Sequence, residues 1–136
     1  MNCQKVAELI NSPDRITTLT TIGAGDSPNT AIIGSAFMTD DHQILIGLAD
    51  NRTLRNLIAH PKVVLLAFRP GKTVLDWQGG RLYLELESME AEGDRFDEMI
   101  GRIRATAGRM AARSIRRLAV CRIFEVRPLA DLAGGI

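Results

Sequence analysis

Residues 16 to 48 read ITTLTTIGAGDSPNTAIIGSAFMTDDHQILIGL, and this stretch decides the fold class. Ile16 to Ile22 is almost wholly β-branched, and such side chains are stiff at χ1 and pack well on a pleated surface. Gly23-Ala24-Gly25-Asp26-Ser27-Pro28 supplies a turn. Thr30 to Met38 resumes extended character, Asp40-Asp41-His42 turns the chain again, and Gln43 to Leu48 returns. Three β-rich runs joined by two short connections predict an antiparallel meander.

Before the meander, Val6, Leu9 and Ile10 fall on one face of a short helix that Asn11-Ser12-Pro13 stops. After it, Asp50 or Asn51 can cap a helix carrying Leu54, Leu57 and Ile58 at helical spacing. His60-Pro61 ends that helix, because the residue before a proline is pushed out of the α region. Lys62 to Phe68 is a short apolar run, predicted to be a strand buried on both faces. A further strand runs to about Met89, with Leu82, Leu84 and Leu86 alternating against Arg81, Tyr83, Glu85 and Glu87. Asp94 to Ala107 reads as a second substantial helix, its stripe made by Phe96, Met99, Ile100 and Ile103. Its charges run from acidic to basic, as the helix dipole favours. Arg117 to Arg127 reads as the last strand. Six β segments without regular βα alternation predict a small closed or nearly closed antiparallel barrel with flanking helices.

The 136 residues suit a single domain spanning 1–136, able to bury roughly two-thirds of its unfolded surface. A 46% hydrophobic content excludes a disordered chain. The longest apolar run, Val63 to Phe68, is far short of the about 18 residues a membrane helix requires. Gln4, Lys5 and Glu8 interrupt any signal-peptide core at the N-terminus. Cys3 and Cys121 lie at opposite ends and form no CxxC pattern, so they are expected to be reduced thiols in a cytoplasmic protein. With 17 basic against 16 acidic side chains, a net charge of +1 gives no global attraction to nucleic acid or membrane.

Several familiar signatures fail. Gly71-Lys72-Thr73 resembles the end of a phosphate-binding P-loop, yet Leu66 stands where the first glycine is required. Gly23-x-Gly25 leads from one strand into another, so the dinucleotide fingerprint does not apply. Two histidines and two scattered cysteines give no metal-ligand spacing. No nucleophile elbow or triad order is present, so no catalytic side chain is assigned. Seven arginines between 102 and 122 sit without an intervening acid, but the preceding segment is acidic and aromatic interleaving is missing. A solvated or intersubunit face suits them better than a nucleic-acid patch using Arg109, Arg113, Arg116 and Arg117. The start of the helix after Asp50-Asn51 reads in two ways. Its free N–H groups, the Arg52 guanidinium and the Thr53 hydroxyl suit phosphate oxygens, and they equally suit a capped surface helix with a solvated arginine.

The order of elements and three segments resemble the pyridoxamine 5'-phosphate oxidase-like, FMN-binding split-barrel family, especially its short stand-alone members. The segments are Pro28 to Phe37 on the second strand, Asn51 to Val63, and Gly79 to Leu84. The middle one is the most specific: Arg52-Thr53-Leu54-Arg55-Asn56-Leu57-Ile58-Ala59-His60-Pro61-Lys62-Val63 looks like the family's [R/K]-[K/T]-x-x-N-[I/L]-x-x-[N/H]-P-x-V. The resemblance covers about residues 5 to 127.

It implies a mainly β, six-stranded antiparallel split barrel, with FMN as cofactor and a homodimer carrying the cofactor at its interface. Arg52 and Thr53, beside Asn51, fall where the family holds the flavin phosphate. Ile32, Ile33, Gly34 and Ser35 fall on the strand beside the isoalloxazine ring. Lys72 and Thr73 lie where a neighbouring strand can reach the cofactor, and Asn56 matches a recurring helix position. The implied activity is a flavin-dependent oxidoreductase acting on an unidentified small molecule. The alternatives are a non-enzymatic FMN or haem carrier, or an F420-dependent reductase. True pyridoxamine 5'-phosphate oxidases carry a C-terminal substrate-binding segment, and Asp131 to Ile136 does not match it, so that specific activity is not expected. Arg52-Thr53 also carries one charge fewer than the basic pair of those enzymes.

Overall fold

The structure, a computed structural model, describes residues 3–130; the sequence-level readings of the first two residues and of Asp131 to Ile136 lie outside them. The order is α1 (Cys3–Ile10), β1 (Ile16–Ile22), β2 (Pro28–Ile32), β3 (Phe37–Met38), β4 (Gln43–Ala49), α2 (Arg52–Ala59) and β5 (Lys62–Arg69). β6 (Gln78–Glu90), α3 (Asp94–Ala107), α4 (Arg109–Ser114) and β7 (Ile115–Pro128) follow. The strands form one antiparallel sheet in the order β2-β1-β5-β6-β7-β4-β3. Among the described residues no helix is long and apolar enough to cross a membrane.

The two edge strands of that order are consecutive in the chain. β2 pairs with β1, β3 pairs with β4, and only Ile33 to Ala36 separates them, so the corner curls the sheet into a barrel. The single extended run read from Thr30 to Met38 is therefore two short strands bent around a corner, which is why six predicted strands become seven. Backbone groups freed at the bend find other partners. Ile33 N–H donates to Thr17 O at 3.0 Å, and the buried Thr17 hydroxyl donates to Ile33 O. One Arg15 Nη2 donates to Gly34 O at 2.9 Å and to Ala36 O at 3.1 Å. The Ser35 hydroxyl donates to Gly47 O at 2.7 Å, pinning the corner to β4.

Inside the barrel lie Leu19, Ile44, Ile46, Val63, Leu65, Ala67, Leu82, Leu84 and Cys121. α1 closes one end with Val6, Leu9 and Ile10, all buried. The Asn11 amide then exchanges two hydrogen bonds with the backbone of Met38, at 3.0 and 2.8 Å. α2 closes another part with Leu54 and Leu57. A second apolar cluster forms outside the barrel, where Met99, Ile103 and Ala112 pack on Leu45, Leu118 and Val120.

Three readings are corrected by the structure. β5 is not buried on both faces: Val63, Leu65 and Ala67 point inward, while Val64, Leu66 and Phe68 stay partly exposed on the outer face. The arginine-rich stretch hides a short helix, α4, which turns off α3 at Gly108; its φ of 93° is open to glycine but strained for other residues. The last strand begins at Ile115, two residues before the predicted Arg117. Among the described residues, Arg122 of this stretch pairs with Glu85 on the acidic strand.

Candidate functional site

α2 starts where β4 runs out. Asn51 caps it: the side-chain oxygen accepts from Leu54 N–H at 3.1 Å, and Arg55 N–H closes the first turn on Asn51 O at 3.1 Å. The N–H groups of Arg52 and Thr53 are engaged by neither bond. They point off the positive end of the helix dipole, which favours an anion.

Beside this helix start lies a cleft of about 310 Å³. The barrel corner forms one wall (Ile32, Ile33, Gly34, Ser35), and Gly47 to Ala49 of β4 form the floor. Asn51 and Thr53 stand at one end, and Ile103, Thr106, Ala107, Ala111, Ser114 and Ile115 of α3, α4 and β7 close the far side. None of the residues lining it is titratable. Its character is that of an apolar slot with hydroxyl and amide groups at the rim. Gly47 lets α3 pack close on the floor: a Cβ there would meet Met99 Sδ at 2.6 Å.

Of the ten residues singled out from sequence, six line this cleft: Ile32, Ile33, Gly34, Ser35, Asn51 and Thr53. Ile32 is 80% exposed, whereas Thr53 is 4% exposed. Arg52 and Asn56 face the other flank of α2, where a more polar cleft of about 600 Å³ is lined also by Gly23, Asn29, Arg55 and His60. Asn56 is tied into the barrel, its Nδ2 donating to the buried Thr21 hydroxyl at 3.1 Å. Gly23 makes room for it, since a Cβ there would sit 2.9 Å from Asn56 Oδ1. Arg55 pairs with Asp50 at 3.5 Å, and Arg52 is exposed. Lys72 and Thr73 lie in the exposed β5–β6 connection and line neither cleft of their own chain.

Sequence reasoning missed the far wall. Thr106, Ala107, Ala111 and Ser114 are small residues whose only local signal is the glycine that separates α3 from α4. The residues present fit a flavin mononucleotide. A phosphate finds two free N–H groups, Asn51 and Thr53 with Arg52 within the same turn, and no carboxylate lines the cleft; a planar ring finds an apolar slot beside exposed strand backbone.

No family model matches the sequence, and no curated protein matches it. Among solved structures, the chain is similar to an FMN-binding protein from Syntrophomonas wolfei subsp. wolfei: 26% identity, TM-score 0.82, covering 96% of this chain and 87% of that one. A candidate pyridoxamine 5'-phosphate oxidase from Lactobacillus delbrueckii shares the fold at 15% identity, with a TM-score of 0.65 over 93% of this chain and 92% of that one. So does HutZ, the heme storage protein from Vibrio cholerae, at 15% identity and a TM-score of 0.66, covering 94% of this chain and 90% of that one. With the corner-closed sheet and the Asn51 to Val63 segment in place, the chain has the split-barrel fold of these proteins and is similar to the pyridoxamine 5'-phosphate oxidase-like, FMN-binding family.

Proposed function

We propose that this protein binds FMN in the cleft between the barrel corner and the start of α2, and serves as a cytoplasmic flavin-dependent oxidoreductase. The observation that carries the reading is the junction itself: a helix start whose Asn51 and Thr53 border an apolar slot with no carboxylate among its lining residues. The 26% identical FMN-binding protein, similar over 96% of this chain, supports the same cofactor.

Bound there, the flavin supplies the electron-transfer chemistry. The chain's part is to hold and shield it. Asn51 fixes the helix start so that the Arg52 and Thr53 N–H groups converge on the phosphate, and Arg52 adds a mobile positive charge. Ile32, Ile33 and Ile103 would exclude water from the flavin ring, with Gly34 and Ser35 among the residues that would hold it.

The site is completed by a second copy of the chain. Ile32 is 80% exposed at the corner, and Ile16 and Ile22 on the neighbouring β1 are exposed as well, apolar side chains that a two-fold contact would cover. Lys72 and Thr73, which line neither cleft of their own chain, would approach the partner's in such a dimer. Light scattering of the purified protein is expected to give twice the chain mass.

The deciding experiment is an absorbance spectrum of the native protein with mass analysis of what acid releases. Flavin bands and an FMN mass support the reading. A Soret band assigns haem, a single band near the deazaflavin position assigns F420, and a colourless protein that also takes up no added FMN removes the cofactor reading. Oxidation of NADH or NADPH by the loaded protein separates an enzyme from a carrier.

A further inference from the structure

The cleft continues past Ser35 into a second recess of about 370 Å³, lined by Asn11, Ser12, Arg15, Phe37 and Arg102, and sharing Gly34, Ser35, Ile103, Thr106 and Ala107 with the first. Two guanidinium groups meet there from different elements. Arg15 arrives from the turn before β1 and holds Gly34 O and Ala36 O through Nη2, which leaves its Nε buried and without a partner. Arg102 arrives from α3 and sits over the Phe37 ring, its Cζ 3.9 Å from the centroid, with a buried Nη2 that also has no partner.

Neither arginine forms a salt bridge among the described residues. The acids nearby are occupied or offset: Asp14 contacts Arg69 and accepts from the Ser12 hydroxyl, and Glu98, on the same helix, acts on Arg102 only weakly against its burial. Desolvation lowers the proton affinity of both guanidinium groups, and for Arg102 it outweighs the opposing attraction of Glu98. Two like-charged guanidinium groups line one recess that has no carboxylate among its lining residues, and their fork of N–H donors is matched by an oxyanion entering that recess. Arg102 over an aromatic ring is positioned, not merely present, for such a contact.

We propose that this recess is an anion subsite, in which Arg15 and Arg102 grip the carboxylate or phosphate of a small organic acid whose remainder extends toward the cofactor cleft. The anion site stands on the two arginines alone; its meaning as a substrate subsite rests on the FMN reading.

The test is a titration of the ¹⁵N-labelled protein with malonate and, separately, with inorganic phosphate, following the Arg15 and Arg102 Nε–H resonances with and without added FMN. Saturable shifts of both resonances are expected, the tighter ligand identifying whether carboxylate or phosphate is preferred. Arg102→Gln is expected to weaken that binding about tenfold or more, and Arg102→Lys to restore part of it. Arg15 also holds the barrel corner, so Arg102, on a helix surface, is the cleaner variant. Absence of saturable shifts in the unloaded protein overturns the proposal whether or not FMN binds. Shifts confined to the Asn51, Arg52 and Thr53 amides also overturn it, since they would place the anion at the helix start. Failure of FMN uptake with intact anion binding removes the cofactor reading and leaves the subsite.

Discussion

Asn51 does two jobs that a single substitution can separate. Its Oδ1 holds the first turn of α2 through Leu54 N–H, at 3.1 Å, while the same side chain lines the cleft. Aspartate caps a helix as well as asparagine does, and its charge at the N-terminus adds about 0.3–1 kcal/mol. For 136 residues, about 1 kcal/mol corresponds to roughly 3.5 °C in Tm, so Asn51→Asp should leave the melting point unchanged or raise it slightly. Binding responds in the opposite sense. A carboxylate roughly 6 Å from a phosphate repels each unit of its charge by about 2.8 kcal/mol at an effective dielectric of about 20. Halving this for the open rim still leaves about 1.4–2.8 kcal/mol, a loss of tenfold to hundredfold in FMN affinity. Circular dichroism melts and flavin-fluorescence titrations read the two effects separately. The affinity loss should shrink as salt is added, because the Debye length falls to about 10 Å at 0.1 M. Asn51→Ala is the control, expected to cost about 1 kcal/mol of stability through the lost cap. An Asn51→Asp protein that folds as well as the parent and binds FMN equally tightly at low salt would refute the placement of the phosphate at this helix start.

Further outcomes are expected elsewhere. Arg52→Ala should weaken FMN binding by about 1.5–3 kcal/mol, the range for a hydrogen bond to a charged group, and an unchanged dissociation constant would exclude Arg52 from the site. Gly79 pairs with Phe68 at a φ of 150°, and a Cβ there would stand 2.1 Å from Ala67 O. Gly79→Ala therefore forces β5 and β6 apart and should cost about 3 kcal/mol or more in denaturant unfolding, with a cost under 1 kcal/mol contradicting the register. Burial pushes the Cys121 thiol up to about 12, with Glu87 adding to it, so the thiol stays neutral in the native protein while the unfolded thiol ionises near pH 8.5. A raised native pKa contributes stability that is intact below about pH 8.5 and lost above it, by up to about 1.4 kcal/mol per pH unit. Cys121→Ala should flatten that alkaline slope, and an identical slope in the variant would show the thiol is not shielded.

The sequence was legible where periodicity and punctuation agreed. Asp94 to Ala107 is a helix between the residues expected, because Gly93 and Gly108 bracket a stripe of Phe96, Met99, Ile100 and Ile103. The corner at Ile33 to Ala36 was not legible, since every residue there suits an extended chain. The bend arises from hydrogen bonding to two different strands, β1 and β4, which no local pattern encodes. Burial of Lys62 to Phe68 was misread for a related reason: an unbroken apolar run looks the same whether its second face meets a helix or lies on an outer surface. The helix-start half of the cleft was readable from Asp50-Asn51-Arg52-Thr53, where capping chemistry and anion chemistry coincide. The α3–α4 wall was not, because alanine, serine and threonine mark a void only once the backbone around them is known.

The place of β7 between β6 and β4 bears on how a ribosome makes this barrel. β1, β2, β5 and β6 can pair among themselves as they emerge, but β4, with Ile44, Ile46 and Leu48 fully committed to the interior, has only the two-residue β3 beside it. Its long-range partner is translated last, with Cys121 opposite Ile44 and Ala119 opposite Ile46. At about 5–20 residues per second, β4 waits several seconds with a bare apolar edge. A stalled or truncated nascent chain ending before Ile115 would leave two such edges, on β4 and β6, open to pairing with other chains.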